Sequence, residues 1–210
     1  MNEIRIREKH SLLIRSTHWL SFATLSLMVW SGILIYWADD IYIPIPDSVA
    51  RGLSINNRLA EGMAWHFNMM WVFTINGLIY VGYLLVSGKW RHIIPDRGSW
   101  REAVAFTLHD LGLRKEKPKQ SGILNGAQRI AYTAILFCGA GSVLTGIAIY
   151  KPVQVGWLTA LLGGYEAARF EHFVLMGIFI VFLFVHVAQV VRAGWNNFRA
   201  MVAGYEIDRD

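Results

Sequence analysis

The sequence feature that most constrains this chain is an apolar segment between Glu171 and Arg192, in which only two histidines can titrate. Its 20 residues would form a helix about 30 Å long, which matches the hydrocarbon thickness of a membrane. His172 and His186 lie 14 residues apart, so helical geometry places both on one face, about 21 Å apart along the axis. Ionisable side chains within a membrane helix generally face a partner inside the protein. The segment therefore predicts two sites at two depths.

Composition excludes several classes of protein and of metal site. Of the 210 residues, 54% are hydrophobic, which is typical of a small membrane protein and unusual for a soluble domain. Cys138 is the only cysteine, so an intrachain disulfide and a cysteine-based zinc or iron–sulfur site are excluded. A metal cofactor bound by this chain would therefore use histidine ligands.

Four segments reach the length of a membrane span. We predict spans over Thr17–Trp37, Met63–Val86, Ala127–Tyr150 and Arg169–Val191. The predicted fold is all-α, a four-helix transmembrane bundle in which residues 1–210 form a single membrane domain.

Charge sets the predicted orientation of this bundle. Sixteen of the 20 Lys and Arg residues lie in or beside the N-terminal segment, the connection between the second and third spans, and the C-terminal tail. The positive-inside rule therefore predicts that both termini are cytoplasmic. The net charge of +5 is then an orientation signal, and the chain is not expected to bind nucleic acid.

Short amphipathic patterns predict helices at the cytoplasmic surface. Ser99–Glu102 has capping-box spacing and is followed by apolar residues at helical spacing, with Gly112 as a stop signal. The tail Gly194–Tyr205 has a similar apolar pattern. The two prolines of Ile43–Pro46 exclude a regular helix in that part of the loop between the first two spans.

Two further histidines match the depths of the pair in the fourth span. His18 lies about one turn inside the inner end of the first span, at the depth expected of His186. His66 lies about one turn inside the outer end of the second span, at the depth expected of His172. Two bis-histidine haems stacked across a membrane need this arrangement, because each iron takes one axial imidazole from each of two helices. Gly32 follows His18 by the same 14 residues, which leaves room for a porphyrin at the outer level.

A membrane histidine can also serve as an interhelical hydrogen-bonding group without any metal. One histidine would not distinguish the two interpretations. Four histidines at two matched depths, two of them on one face of one helix, favour the haem interpretation. His10, His92 and His109 lie outside the spans and are interpreted as surface residues.

This histidine pattern resembles the di-haem cytochrome b superfamily, and the resemblance extends over nearly the whole chain. Its members include the gamma subunit of formate dehydrogenase, the b-type cytochrome of nickel–iron hydrogenase, thiosulfate-reductase-like cytochrome b and bacterial cytochrome b561. The residues that carry it are His18, His66, His172, His186 and the segment Asn125–Arg129 before the third span. The resemblance implies a multi-pass protein of the bacterial inner (cytoplasmic) membrane, surrounded by membrane lipid.

The resemblance also implies two b-type haems. His18 and His186 would hold the inner haem, and His66 and His172 would hold the outer one. A quinone, menaquinone or ubiquinone, would lie beside the inner haem and next to His186.

The remaining candidate residues concern the quinone and the haem propionates. In the formate dehydrogenase relative, an asparagine at the position matched by Asn125 contacts the quinone, so Asn125 and Gln128 are the candidate quinone ligands. Asn125 can equally be the N-cap of the third span. The candidate propionate partners are Arg15, Arg129 and Arg192, although the positive-inside pattern predicts arginines at the same places.

The predicted function follows from the coordination of the haem iron, whose axial positions would both be filled. With two axial imidazoles an iron has no open position for substrate, so it passes single electrons. The chain is predicted to be an electron-transfer subunit, linking the quinone pool to a partner oxidoreductase subunit at the outer face that carries an iron–sulfur, molybdenum or c-type cytochrome centre. One alternative is a stand-alone b561-type quinone-linked cytochrome. Another is a haem-free transporter or structural protein, although the discontinuous spans and paired intramembrane acids of transporters are missing from the sequence.

Overall fold

The computed structural model describes residues 4–39, 42–120 and 122–209. Helices dominate this part of the chain, with one short strand near each end. In chain order the elements are β1 (Ile4–Glu8), α1 (Leu12–Tyr36), a 3₁₀ turn (Trp37–Asp39), α2 (Asp47–Gly52), α3 (Leu59–Val86), α4 (Trp90–Ile93), α5 (Ser99–Asp110), α6 (Gly126–Tyr150), α7 (Gly156–Leu161), α8 (Tyr165–Ala193), α9 (Trp195–Ala203) and β2 (Tyr205–Arg209).

Four of these helices are long and apolar enough to cross a membrane, namely α1, α3, α6 and α8. They correspond one to one to the predicted spans. The described structure is 74% helical, so the predicted all-α class with four membrane-spanning helices is confirmed. Each helix begins before the predicted span, because the helix continues from the apolar window into flanking polar residues. The short helices α2 and α7 and both strands were not predicted.

Residue contacts divide the chain into two compact units. The first unit comprises Met1–Tyr80 and Leu183–Asp210, and the second comprises Val81–Phe182. The divisions fall within α3 and within α8, not in loops. The single domain expected from the sequence stays a prediction.

A stripe of small hydroxyl residues lines the face of α1 that packs on α3 in the first unit. Thr17, Thr24 and Ser31 lie seven residues apart, and all three are buried. Each hydroxyl donates to a backbone carbonyl three or four residues earlier in α1. The polar groups are therefore satisfied within the helix, and their small size lets the neighbouring backbone come close.

One glycine and one amide fix how α3 lies against α1. A Cβ atom at Gly62 would lie 2.8 Å from the nearest α1 side-chain atom and 3.0 Å from the carbonyl oxygen of Ser31, so only glycine fits there. Further along α3, the buried Asn76 donates from Nδ2 to the carbonyl of Thr17 at 3.0 Å and to the hydroxyl of Ser21 at 2.8 Å. The end of α1 thus meets the start of α3, and the two helices pack antiparallel.

The two ends of the described chain form a small antiparallel sheet in the first unit. Strands β1 and β2 pair with Ile6 opposite Ile207. Glu206 is buried beside this pair, where its carboxylate accepts hydrogen bonds from Lys9 Nζ, at 2.8 Å, and from the guanidinium of Arg7. Lys9 and then Arg7 hold the pKa of Glu206 below its usual range. The pairing places both chain ends on the same side, and the cytoplasmic assignment of that side stays a prediction.

The helix predicted in the tail is confirmed as α9, although its position at a membrane surface stays a prediction. It is tied to the beginning of α1 by two hydrogen bonds to its backbone. Arg15 donates to the carbonyl of Val202 at 2.8 Å, and Trp19 Nε1 donates to that of Met201 at 3.2 Å. The N-terminal end of α1 is thereby held by α9.

The helix predicted after the second span is confirmed as α5, but its predicted capping box is wrong. The hydroxyl of Ser99 does not cap the helix with Glu102. Instead, Asp96 Oδ1 accepts from the backbone N–H groups of Gly98 and Ser99, both at 2.9 Å, and the Asp96 N–H donates to Ser99 Oγ at 3.0 Å. The N-cap residue Gly98 has no side chain, and the Asp96 carboxylate, a stronger acceptor than a hydroxyl, bonds the first backbone N–H of α5 instead. Hydrogen bonds from Ser99 and then Arg129 lower the pKa of Asp96.

The first turn of α6 packs directly on the backbone of α5 in the second unit. A Cβ atom at Gly126 would lie 2.2 Å from the carbonyl oxygen of Ser99. Arg129, one turn later, donates twice to the carbonyl of Ile94, at 3.1 and 2.6 Å, and once to the carboxylate of Asp96. The start of α6 is therefore fixed to the segment before α5. The apolar residues on the outer face of α5 stay exposed: Trp100, Val104, Leu108 and Leu111.

The close contact at Gly126 gives a stability prediction. Gly126→Ala should lower the free energy of unfolding by about 1–3 kcal/mol, because the new methyl group forces α6 away from α5. Gly82→Ala is the matched control, since a Cβ atom there would meet no atom within 4 Å. Thermal unfolding in detergent measures both variants. Equal stability of the two would contradict the packing described here.

Glu206 gives a pH prediction for the terminal sheet. A carboxylate whose folded pKa is lowered stabilises the fold above its unfolded pKa, and this contribution is lost as pH falls through the folded pKa. Amide protection factors in β1 and β2, which remove the intrinsic pH dependence of exchange, should therefore decrease as pH falls through the lowered pKa of Glu206. In Glu206→Gln the protection should be low at every pH, and Glu166→Gln, which alters an exposed ion pair, is the control. Protection factors that do not change with pH in the unaltered chain would refute the role of this carboxylate.

Candidate functional site

His18 and His186 face each other in the first unit. Their ring centroids lie 6.0 Å apart, with the ring planes inclined by 54°. Imidazole nitrogens bind metals at about 2 Å, so two axial imidazoles on one iron place their centroids about 6 Å apart. The observed separation therefore fits two ligands of one haem iron. This is the inner pair predicted from the sequence.

His18 differs from a histidine that is held by a hydrogen bond at Nδ1. Its Nδ1 atom is buried and has no hydrogen-bond partner among the described residues. Trp19 lies edge-on to the imidazole, with ring centroids 5.3 Å apart. A buried polar nitrogen without a protein partner is uncommon, and the ring is positioned by packing rather than by a hydrogen bond at Nδ1.

His66 lies on α3 against the hydroxyl stripe of α1, in the same unit. Its Nδ1 atom is 3.0 Å from the hydroxyl oxygen of Ser31. The Ser31 hydroxyl also lies 3.2 Å from the carbonyl of Met28, which accepts a hydrogen bond from the His66 ring as well. When the hydroxyl donates to Met28, its oxygen can accept from His66 only in the tautomer that carries the proton on Nδ1.

His172 repeats this arrangement in the second unit, with α6 in place of α1. Its Nδ1 atom lies 2.8 Å from Thr145 Oγ1, and the hydroxyl of Thr145 donates to the carbonyl of Gly141 at 2.8 Å. A Cβ atom at Gly146 would lie 3.3 Å from Cε1 of the imidazole. Glycine at this position therefore lets the ring lie close to α6.

The first unit contains histidines at two levels along α1. Ser31 follows His18 by 13 residues in one continuous helix, which corresponds to about 20 Å along the axis. His66 is bonded to Ser31 and therefore lies at the second level. The interval agrees with the 14 residues that separate His172 from His186 in the sequence.

Asn125 and Gln128 form a reciprocal capping box at the start of α6. Asn125 Oδ1 accepts from the Gln128 N–H at 2.9 Å, and Gln128 Oε1 accepts from the Asn125 N–H at 3.0 Å. The N-cap interpretation of Asn125 is therefore confirmed. The capping box uses the oxygen of each side-chain amide and does not use its nitrogen, and a role in quinone binding stays a prediction.

The three arginines predicted near the inner haem have different surroundings. Arg129 is engaged by Ile94 and Asp96, as described above. Arg15 holds α9, and its Nε atom is buried without a hydrogen-bond partner among the described residues. Arg192 lies exposed in the last turn of α8. Their binding to haem propionates stays a prediction.

Sequence reasoning missed the polar residues that hold the histidines and their helices. They are Ser31, Thr145 and Asn76. Both hydroxyl residues directly precede a glycine, Gly32 and Gly146, and this pairing is a signal that the sequence offered. Asn76 is one of two amides within the apolar α3, where a buried amide requires a partner.

Comparison with known proteins decides the family. The family model described as prokaryotic cytochrome b561 matches residues 9–204 of this chain. The chain belongs to this family. A b561-type relative from Azospira oryzae, a candidate protein-methionine-sulfoxide reductase subunit named YedZ1, is 36% identical over 199 residues, which is 93% of this chain and 96% of the relative.

Membership of the cytochrome b561 family confirms the resemblance inferred from the histidine pattern. The b561 cytochromes bind b-type haem, so the protein is a multi-pass membrane haem protein of this type. The family assignment removes the haem-free alternative. The haem supplies one-electron transfer when bound.

Proposed function

We propose that this b561-type cytochrome carries single electrons through two haems, between the quinone pool and a partner oxidoreductase subunit. His18 and His186 are proposed to hold the inner haem, and His66 and His172 the outer haem. The observation that supports two haems is the presence of two histidine levels about 20 Å apart along α1, at His18 and at the Ser31 contact of His66.

The contacts at Nδ1 support the outer pair as iron ligands. His66 and His172 each have Nδ1 within hydrogen-bond distance of a hydroxyl, and in the tautomer that donates from Nδ1 the Nε2 lone pair is available to a metal. The two residues lie in different units, so their pairing rests on the 14-residue interval in α8 and on the matched depth of His66. Filled axial positions leave no site for substrate, which favours electron transfer over bond chemistry.

The quinone is proposed to bind at the start of α6. The capping box directs the oxygens of Asn125 and Gln128 to backbone N–H groups, so the amide nitrogens are the atoms suited to donate to a quinone carbonyl. His186 of the inner pair would lie beside the quinone, which would be menaquinone or ubiquinone. Arg15 and Arg192 are the proposed propionate partners, because Arg129 is already engaged by Ile94 and Asp96.

The partner is proposed to be a reductase subunit at the outer face of the bacterial inner membrane, with both termini of this chain in the cytoplasm. The support is the Azospira relative, whose name assigns it to a protein-methionine-sulfoxide reductase and which aligns over nearly its whole length. The partner would carry a molybdenum, iron–sulfur or c-type cytochrome centre, and electrons would pass to it from quinol.

The alternative function, a stand-alone b561-type cytochrome, differs from the proposed one only in lacking this partner. Affinity purification from the native membrane decides between them, because a stoichiometric redox subunit would appear only in the first case.

Histidine substitution tests the two-haem proposal. His66→Ala and His172→Ala should each lower the haem-to-protein ratio from two to one, because each removes a ligand of the same iron. His18→Ala and His186→Ala should remove the other haem. His109→Ala, outside the spans beside Asp110, is the control and should keep both. Haem quantification and a redox titration of the purified protein measure this. A single haem in the unaltered protein, or two haems in all four variants, would overturn the proposal.

A further inference from the structure

We infer that Ser31 and Thr145 are positioning residues for the proposed outer haem ligands: Ser31 holds the Nδ1–H group of His66 within the first unit, and Thr145 holds that of His172 within the second. The inference rests on the proposed function, because it takes these two histidines as the outer ligands. Neither hydroxyl was a candidate in the sequence. Each contact lies within one of the two compact units.

The first support for this inference is the set of hydrogen bonds that the two hydroxyl groups make. A hydroxyl has one proton and two lone pairs. In both residues the proton is directed to a carbonyl of the same helix, Met28 for Ser31 and Gly141 for Thr145. The oxygen can therefore accept from the imidazole while every polar group keeps a partner. If Nε2 binds iron, Nδ1 must carry the proton, and this is the arrangement in which all the observed contacts are hydrogen bonds.

The second support is the backbone shape beside each contact. Gly62 precedes His66 by one helical turn and lies so close to Ser31 that a Cβ atom would be 3.0 Å from its carbonyl oxygen. Gly146 follows Thr145, and a Cβ atom there would be 3.3 Å from the ring of His172. In both places a side chain on the glycine would move the imidazole away from its hydroxyl. Two different helix pairs thus use the same device, a hydroxyl and a close-approach glycine.

The chemical consequence concerns the reduction potential. An imidazole that donates a hydrogen bond from Nδ1 is a stronger electron donor through Nε2 and favours the oxidised iron. The hydroxyl also fixes the rotation of the ring about the axial bond. Loss of either hydroxyl should make the midpoint potential of the outer haem more positive and change its low-spin resonance spectrum, while the inner haem stays unchanged.

The experiment uses the purified, haem-loaded full-length protein. Ser31→Ala and Thr145→Val remove the hydroxyls with little change in volume, and Thr145→Ser keeps the hydroxyl. Thr24→Val and Ser26→Ala are controls, because these hydroxyls also donate to carbonyls of α1 and no histidine contact is found for them among the described residues. We expect the two test variants to shift the potential and the electron paramagnetic resonance signal of one haem and to lower its retention about tenfold. Thr145→Ser and both controls should match the unaltered protein.

The outcomes separate this inference from the proposed function. If His66→Ala removes one haem but Ser31→Ala and Thr145→Val behave like the controls, the hydroxyls have no positioning role and the two-haem proposal stands. If Thr145→Ser shows the same loss as Thr145→Val, the effect is one of packing, and the inference is again overturned. If the unaltered protein holds one haem, or His66→Ala keeps two, the proposed function itself fails.

Discussion

The hydrogen bond between a helix hydroxyl and a buried imidazole nitrogen is the contact on which the candidate site depends. A hydrocarbon layer offers no partner to a polar group, so the position of each such group determines which helix faces must meet. The contact between Ser31 and His66 requires α3 to approach α1 closely. Gly62 and the small residues of the hydroxyl stripe permit that approach. Helix packing and ligand orientation therefore follow from the same few small residues.

The four spans could be predicted, and four histidines within them could be singled out, because hydropathy and periodicity are properties of single helices. The partners of those histidines could not. Serine and threonine are common in membrane helices, and whether Ser31 or Ser26 faces a histidine depends on the rotation of one helix against another. A single-helix pattern does not contain that rotation. Strands β1 and β2 were missed for a related reason, since each is too short to be recognised without its partner at the other end of the chain.

The starts of α5 and α6 show how local competition decides a cap. At α5 the sequence pattern favoured Ser99, but the nearby carboxylate of Asp96 is the better acceptor and takes the backbone N–H groups. At α6 the side-chain oxygen of Asn125 accepts from the backbone, and Asn125 forms the box with Gln128. An amide differs from a carboxylate in keeping a donor when its oxygen caps a helix. An asparagine can therefore cap the start of a helix with its side-chain oxygen and still donate a hydrogen bond to a carbonyl group elsewhere.

The pairing of β1 with β2 has a consequence for biosynthesis. Ile4–Glu8 is translated well before Tyr205–Arg209, so β1 cannot pair until β2 has been synthesised. During that interval the beginning of α1, which carries His18, also lacks the hydrogen bonds that Arg15 and Trp19 donate to the backbone of α9. His186 lies on α8, which follows the other three apolar helices along the chain. The contact between His18 and His186 can therefore form only after α8 has been synthesised.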